Sequence, residues 1–174
     1  MNAIIIYSSK TGNTKKMAEF IYNNIKDIVY TDLLSIKDIK DIENLKKYDL
    51  ILLGGWINRA TLNKEAIHLL KKIKNKNIGL FATLGAMPES EHGQKVINNL
   101  KNLLVDKNSL GQYICPGLVD PKMIEKLQGI TAIIMPKKLR QKMIDTSLKS
   151  RYATNEELEK AGQYFKEKIE KMKK

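Results

Sequence analysis

The chain has 174 residues, of which 43% are hydrophobic and 29% are charged. That length predicts one domain of ordinary soluble type, able to bury about 70% of the surface that its unfolded chain exposes. No apolar run approaches the ~20 residues of a membrane span, and Met1 leads straight into a predicted strand, so we expect neither a transmembrane segment nor a signal peptide. A single cysteine, Cys115, excludes an internal disulfide and a cysteine-rich metal site, and two histidines are too few for a histidine metal site. We therefore expect a cytoplasmic protein without a metal.

The formal net charge of +12 raises the question of an acidic partner, nucleic acid or membrane headgroups. The lysines are spread along predicted helices, and the chain is rich in Ile, Asn and Lys together, as a biased genome produces. Arginine, the residue favoured for bidentate phosphate and base contacts, occurs only three times. A solvated lysine-rich surface is therefore the favoured interpretation, and nucleic-acid binding is not favoured.

Predicted strands and helices alternate along the first two thirds of the chain. The run from Ile4 to Tyr7 predicts a strand buried on both faces, because it is apolar without alternation, and residues 15–25 then return to helical spacing. Residues 33–45 form a Lys/Asp-rich connection with isoleucines at about helical spacing. Further strands are predicted at residues 28–32, 48–55, 78–83 and 112–118, and helices at residues 63–70, with Asn63 as N-cap, and 90–104. This spacing predicts βαβ units and a parallel sheet covered by helices on both faces.

The alternation ends near residue 119. A short helix is predicted from Pro121 to about residue 128, with the proline in its first turn. Residues 129–135 are apolar but no helix follows them at the usual distance, and residues 137–144 form a basic amphipathic stretch. An extra segment, at about residues 120–153, is thus predicted before the C-terminal helix.

The C-terminal helix has a clear start. Thr154 and Glu157 predict a capping box, in which the threonine hydroxyl bonds forward and the glutamate reaches back. The helix is expected to run to about residue 171. Its predicted inward-facing residues are Leu158, Ala161, Phe165, Ile169 and Met172.

The loop after the first strand has the composition of an anion site. Strand, small polar loop and helix place an anion at a helix N-terminus, where free backbone N–H groups and the positive end of the helix dipole meet it. Ser9, Thr11 and Thr14 add hydroxyls. Gly12 lets the backbone come close, and Lys10 supplies positive charge at the rim. Neither the Walker A pattern nor the dinucleotide glycine pattern is present, and the loop suits a terminal phosphate better than a pyrophosphate. The alternative is an ordinary turn whose threonine caps a helix.

Two further loops are predicted at the same edge of the sheet, because ligands of open parallel sheets lie beyond the carboxyl ends of the strands. Residues 54–62 contain Trp56, the only tryptophan, beside two glycines at a strand end. That position suits a ring laid against a flat aromatic ligand, and the alternative is a tryptophan at the edge of the core. In residues 83–93, the short side chains around Gly85 suit backbone groups that bond the polar rim of a ring. The three loops together describe one mononucleotide-like ligand.

Residues 9–14, Ser-Lys-Thr-Gly-Asn-Thr, resemble the flavodoxin phosphate loop, [ST]-x-T-G-x-T, at every constrained position. Gly55-Trp56 stands where flavodoxins carry the aromatic residue that stacks on the isoalloxazine. The alternation of strands and helices agrees with that of flavodoxins over roughly residues 1–118, and the C-terminal helix corresponds to their fifth helix. The resemblance implies one flavodoxin-like domain over residues 1–174: an α/β three-layer sandwich whose five-stranded parallel sheet has the order 2-1-3-4-5.

The same resemblance implies FMN as the cofactor. The residues that it implies for FMN binding are Ser9, Lys10, Thr11, Gly12, Asn13, Thr14, Gly54, Gly55, Trp56, Ile57, Asn58, Thr83, Leu84, Gly85 and Ala86.

A narrower resemblance comes from Gly54-Gly55-Trp56, Thr83-Leu84-Gly85-Ala86 and Ser90-Glu91-His92. These motifs are similar to a group of flavodoxin-like proteins from anaerobic bacteria, some of which are associated with bilirubin reductase. The chain departs from flavodoxins in two ways. Residues 84–95 contain no Tyr or Trp, so one flavin face is open, covered by Met87, or covered by the extra segment. The chain is also basic where flavodoxins are acidic, which weakens the transfer of their carboxylate-built partner interface.

The leading functional hypothesis is an FMN-binding electron-transfer protein that delivers reducing equivalents to a redox partner protein. The net positive charge predicts an acidic docking surface on that partner. The alternative is an FMN-dependent oxidoreductase that acts directly on a quinone or a tetrapyrrole, and a third hypothesis is a flavin-free binding module of the same fold. No constellation of side chains in the sequence indicates catalysis without a cofactor, so we assign no catalytic residue and favour an electron carrier over a self-standing enzyme.

Overall fold

The computed structural model of the protein describes residues 1–129 and 135–173. The strands are β1 (Asn2–Tyr7), β2 (Tyr30–Ser35), β3 (Leu50–Asn58), β4 (Thr61–Leu62), β5 (Asn77–Leu84) and β6 (Asn108–Pro116). The helices are α1 (Asn13–Ile25), α2 (Lys64–Lys72), α3 (Glu91–Asn102), α4 (Pro121–Gln128), α5 (Lys137–Leu148) and α6 (Asn155–Met172). Two short 3-10 helices, Ile36–Asp38 and Glu43–Lys47, lie between β2 and β3.

Within the described residues, the main sheet is parallel and has the strand order β2-β1-β3-β5-β6. The two-residue strand β4 pairs antiparallel with the end of β3 and lies outside that path. When β4 is set aside, the observed order is the predicted 2-1-3-4-5. The predicted α/β fold with a five-stranded parallel sheet is therefore confirmed, with one added hairpin strand.

The core lies on both faces of the sheet. Ile4 and Ile6 of β1 belong to the cluster that packs against α2 and α3, and Ala3 and Ile5 belong to the opposite cluster, which packs against α1 and α6. All four side chains are fully buried. A strand covered on both sides has no solvent face, which is why its sequence lacks alternation.

The second strand begins two residues later than predicted. The backbone N–H groups of Ile28 and Val29 both donate to the carbonyl of Ile25, at 3.0 Å each, so these apolar residues close the end of α1 instead of entering the sheet. The predicted helical spacing in residues 33–45 has a different basis. Three partly buried isoleucines there pack on the core from the two 3-10 helices and the residues next to them, without an α-helix.

The last strand was predicted at residues 112–118 and lies at Asn108–Pro116. Its first residues are polar, and Gly111 has a φ of 88° next to an irregularity in the pairing with β5, so the periodic signal is lost over the first half of the strand. The third strand is also displaced, because β3 continues past residue 55 into the hairpin with β4.

The extra segment at residues 120–153 contains α4 and α5, which pack on each other. Pro121 is in the first turn of α4, as predicted. Of the apolar stretch at 129–135, residues 130–134 lie outside the described part of the chain. In α6 the prediction for Met172 is wrong: its side chain is 38% exposed, because it is the last residue of the helix and lies beyond Ile169, the last buried residue. No helix in the described ranges is both long enough and apolar enough to cross a membrane.

The start of α6 is held by the predicted capping box and by one additional residue. Thr154 Oγ1 accepts from the Glu157 amide at 3.2 Å, and Glu157 Oε2 accepts from the Thr154 amide at 2.8 Å. Arg151 donates to both carboxylate oxygens of Glu157, at 2.8 and 2.7 Å. The Arg151 guanidinium, followed by the threonine amide, lowers the pKa of Glu157 to about 2.

We expect Glu157→Gln to lower the stability of the protein at neutral pH by roughly 1 kcal/mol, since it weakens a cap and a bidentate ion pair. The folded-state pKa of Glu157 lies below its ordinary 4.5, so the stabilisation is present above about pH 4.5 and is lost as the pH falls toward 2. Urea unfolding at pH 7 and pH 3 measures this loss, which should be smaller in the variant. The matched control is Glu156→Gln, in the same turn but outside the cap. Identical pH dependence of wild type and Glu157→Gln would contradict the prediction.

Candidate functional site

The loop between β1 and α1 leaves the N-terminus of α1 open. The N-cap residue is Gly12, with a left-handed φ of 90° that a glycine adopts at little cost. Among the described residues, no side chain caps this helix, and no atom outside Gly12 and its two chain neighbours lies within 4 Å of where a Cβ on Gly12 would be. The first backbone N–H groups of α1 are thus available to an anion.

The two serines of this loop have different environments. Ser8 Oγ donates to Glu65 Oε2 and accepts from Asn63 Nδ2, both at 2.9 Å. Ser9 Oγ is buried and has no hydrogen-bond partner among the described residues. A buried hydroxyl without a partner costs roughly 1–3 kcal/mol, so such an atom in an otherwise well-bonded loop is a candidate for a ligand contact. The hydroxyl of Ser9 fits a phosphate oxygen.

Two polar residues at the start of α1 are bonded to distant parts of the chain, one to β5 and one to the segment that follows β6. The hydroxyls of Thr14 and Thr83 hydrogen-bond to each other at 2.9 Å, and Thr14 is almost fully buried. Asn13 Nδ2 donates to Thr11 Oγ1 at 2.9 Å and to the carbonyl of Leu118 at 3.0 Å. The Thr14 hydroxyl thus joins α1 to the end of β5, and its role as a hydroxyl donor to the ligand stays a prediction. Thr11 is left exposed at the rim, where its prediction as a ligand contact stands.

Trp56 lies within β3 and not in a loop. It pairs with Thr83 of β5 in the sheet, its carbonyl accepts from the Asn63 amide at 2.9 Å, and its side chain is partly exposed. The hairpin that follows turns through Arg59 and Ala60, whose φ values of 50° and 63° place both residues in the left-handed region. This is the backbone of a tight two-residue hairpin turn, and it presents the indole on a rigid strand. Ile57 and Asn58 complete β3 toward the turn.

Four of the predicted binding residues lie within strands β3 and β5 of the sheet: Gly54, Gly55, Thr83 and Leu84. A Cβ on Gly54 would lie 2.0 Å from the ring of Phe81, and one on Gly55 would lie 2.4 Å from Asn63 Oδ1. Thr83 and Leu84 are buried within β5. In the structure the two glycines are explained by close packing inside the sheet. Their role toward a ligand, like that of the other predicted site residues, stays a prediction.

The third loop is compact. Ser90 caps α3 by accepting from the Gly93 amide at 3.1 Å, and its hydroxyl donates to the Met87 carbonyl at 2.6 Å. Gly85 and Ala86 begin this loop directly after β5. The Met87 side chain is 40% exposed. It is therefore an accessible apolar group, as its predicted role as a cover for the second flavin face requires. The sheet register places this loop, the β3–β4 hairpin and the loop between β1 and α1 side by side at the carboxyl edge.

The family model of the flavodoxin domain matches residues 4–166. This chain belongs to the flavodoxin family. The flavodoxin-like domain-containing protein BilS of Clostridioides difficile is 35% identical to it over 127 residues, which cover 68% of each chain. The resemblance drawn from the loop at residues 9–14 is thereby confirmed.

Solved structures of flavodoxins share the fold. Oxidised Flavodoxin 1 of Bacillus cereus superposes with a TM-score of 0.60 at 16% identity and covers 98% of both chains. A flavoprotein of Lactobacillus acidophilus in complex with FMN gives a TM-score of 0.51 at 21% identity, over 74% of this chain and 99% of that one.

This flavodoxin-family chain has a part of its site that the sequence did not predict. The segment Leu118–Asp120, which leads into α4, lies against two of the loops: Leu118 accepts from Asn13, and a Cβ on Gly85 would lie 2.3 Å from Val119 Cγ2. Asp120 Oδ2 lies 3.1 Å from Lys10 Nζ, and this contact, with the Lys122 amide, holds the pKa of Asp120 below its usual value. The only sequence signal at this point was a helix start, which carries no information on a contact with residue 10.

Cys115, on β6 of this flavodoxin-family protein, should be inert. It is 1% exposed, and burial raises the pKa of its thiol to about 12. We expect a thiol reagent at pH 8 to modify the native protein far more slowly than the urea-unfolded protein, because the reagent attacks the exposed thiolate. Spectroscopic thiol titration with and without urea measures both rates, and rapid native labelling would contradict the prediction.

Proposed function

We propose that this protein binds FMN at the carboxyl edge of its sheet and passes electrons to a redox partner protein. FMN is the cofactor of the flavodoxin family, and a solved relative of this fold is in complex with it. The observation that carries the proposal is the buried Ser9 hydroxyl without a partner among the described residues, beside the uncapped N-terminus of α1. Together they offer a hydroxyl donor and backbone N–H groups to one compact anion.

Each part of the site has a distinct task in this proposal. Residues 9–13 hold the phosphate through the Ser9 and Thr11 hydroxyls, the backbone at Gly12 and the charge of Lys10. Trp56 supports one face of the ring from β3, and the backbone of Gly85 and Ala86 faces its polar rim. When bound, FMN supplies the redox chemistry, while the protein binds, orients and shields it from water.

The direct test is a titration of the flavin-free protein with FMN, riboflavin and FAD, followed by quenching of flavin fluorescence. The visible absorbance spectrum of freshly purified protein is recorded alongside. We expect a yellow protein. It should bind FMN more tightly than riboflavin, because riboflavin lacks the phosphate for which the loop is built. It should also bind FMN more tightly than FAD, because the loop suits a terminal phosphate. A colourless protein that binds no flavin would overturn the proposal and favour a flavin-free binding module.

The proposed partner has an acidic docking surface. Residues 121–152 contain eight Lys or Arg against two carboxylates, which is half of the net charge of the chain in less than a fifth of its length. The helices of this segment also expose large apolar side chains. Those that are exposed are Met123, Leu139, Met143 and Leu148. This basic surface also offers apolar contacts, and it begins next to the loops of the candidate site. It complements an acidic partner and would steer its approach.

Electron transfer from a reduced acidic ferredoxin to the FMN-loaded protein tests this surface. We expect the rate to fall steeply with ionic strength, and to fall at low salt when Lys137, Lys138 and Lys142 of α5 are changed to Gln. The matched control removes the same charge at the opposite edge of the sheet, from Lys71, Lys72 and Lys101. Equal effects of the two triple variants would contradict a docking role for α5.

The alternative function is an FMN-dependent oxidoreductase that acts directly on a quinone or a tetrapyrrole. The exposed Met87 beside the candidate ring site is the observation that favours it, because it offers an apolar contact to a flat substrate. Steady-state NAD(P)H oxidation with a quinone or a tetrapyrrole, without any added protein, separates the two functions. Turnover would support the oxidoreductase, and its absence the electron carrier.

We also propose that the protein works in the cytoplasm, in keeping with its single, buried thiol.

A further inference from the structure

The only charged side chain between β1 and α1 is already paired. Lys10 Nζ lies 3.1 Å from Asp120 Oδ2, across 110 residues of chain. The lysine side chain is 60% exposed and the aspartate 20% exposed, so the lysine can turn toward solvent or a ligand while the carboxylate is held. The other carboxylate oxygen of Asp120 accepts from the Lys122 amide at 3.0 Å and caps α4.

The position of Asp120 is set by its neighbours. The Leu118 carbonyl accepts from Asn13 of the phosphate loop at 3.0 Å, and the Val119 amide donates to Ser150 Oγ at 3.0 Å. The Val119 side chain also packs against the backbone of Gly85 in the third loop. The carboxylate is therefore a fixed negative charge at the rim of a site that is proposed to take a dianion.

We propose that Asp120 is a positioning and specificity residue that weakens phosphate binding by competing for Lys10. This inference rests on the proposed FMN function. A phosphate held by residues 9–13 and the Asp120 carboxylate are both negative, and Lys10 is the one charged group of the loop that can face either. Binding of the phosphate then requires Lys10 to leave Asp120 or to be shared with it, and the free carboxylate repels the phosphate. A residue at the base of the extra segment thus sets the affinity for the cofactor and its preference for FMN over riboflavin.

Fluorescence titration of the flavin-free protein with FMN and with riboflavin tests the inference in wild type, Asp120→Asn and Asp145→Asn. Asparagine caps a helix about as well as aspartate, so Asp120→Asn removes the charge and retains the cap. We expect Asp120→Asn to bind FMN about three- to tenfold more tightly, with unchanged riboflavin affinity and a gain that shrinks at high salt. Asp145→Asn is an equal charge change on α5, at a carboxylate that accepts from Gln141 and not from the loop, and it should match wild type.

The outcomes separate this inference from the proposed function. If wild type binds neither flavin, the FMN function fails and the inference fails with it. If wild type binds FMN and Asp120→Asn binds it equally or less tightly, the inference alone is overturned. An equal change for FMN and riboflavin would also overturn it, because riboflavin has no phosphate. Thermal unfolding of each variant verifies that the cap has been retained.

Discussion

Replacing Gly54 by alanine should destabilise the protein by about 3 kcal/mol, as expected for forced overpacking in a rigid core. The added Cβ would lie 2.0 and 2.1 Å from two ring carbons of Phe81, whose side chain is fully buried in the sheet face that α1 and α6 cover. The ring cannot move aside without displacing that core. The Gly54 carbonyl also accepts from the Ser8 amide at 2.9 Å, so a shift of β3 would reach the phosphate loop. Urea unfolding monitored by circular dichroism measures the loss.

The control for this prediction is Gly129→Ala, at the end of α4. There the nearest atom to an added Cβ is 3.4 Å away, and the expected change is within about 0.5 kcal/mol. The double variant Gly54→Ala, Phe81→Leu should recover part of the loss, because the smaller side chain makes room for the methyl group. If Gly54→Ala proved as stable as Gly129→Ala, close packing would not be the reason for a glycine at this position.

Replacing Trp56 by alanine should weaken the binding of FMN and of riboflavin by a similar factor, about 10- to 100-fold. Stacking of an aromatic side chain on a planar heterocycle contributes roughly 1–3 kcal/mol, and both flavins carry the same ring. The effect of Ser9→Ala should be limited to FMN. This variant should bind FMN about tenfold more weakly and should bind riboflavin as wild type does, since the hydroxyl would contact only the phosphate. Fluorescence titration of wild type and the two variants with FMN and with riboflavin measures both effects.

Two variants control the Trp56 experiment. Trp56→Phe keeps an aromatic face and should retain most of the affinity, whereas Tyr30→Ala removes an exposed aromatic ring from β2 and should have no effect. Unchanged affinity of Trp56→Ala for both flavins would show that the indole belongs to the edge of the core. A loss for FMN alone would show that it acts near the phosphate.

Element boundaries were the least predictable part of the fold. Residues 28 and 29 are apolar and β-branched, which is typical of a strand, yet their amides complete the last turn of α1. Trp56 was expected in a loop because two glycines precede it. Those glycines are needed instead by the side chains of Phe81 and Asn63, which lie over the strand. The hydrogen bonds that end α1 decided the first boundary, and contacts with the distant residues Phe81 and Asn63 decided the second.

The sequence by itself determined the parallel sheet with helices on both faces, the phosphate-loop motif and the capping box of α6, because each depends on residue types at short, regular spacing. Only the tertiary structure decided which polar groups of the loop are free. It paired Thr14 with Thr83, engaged Ser8 with Asn63 and Glu65, and left the buried Ser9 hydroxyl without a partner among the described residues. It also brought Asp120 to Lys10. These hydrogen bonds and this ion pair join groups 55 to 110 residues apart in the chain. They depend on how the layers of the fold pack, so local periodicity in the sequence cannot predict them.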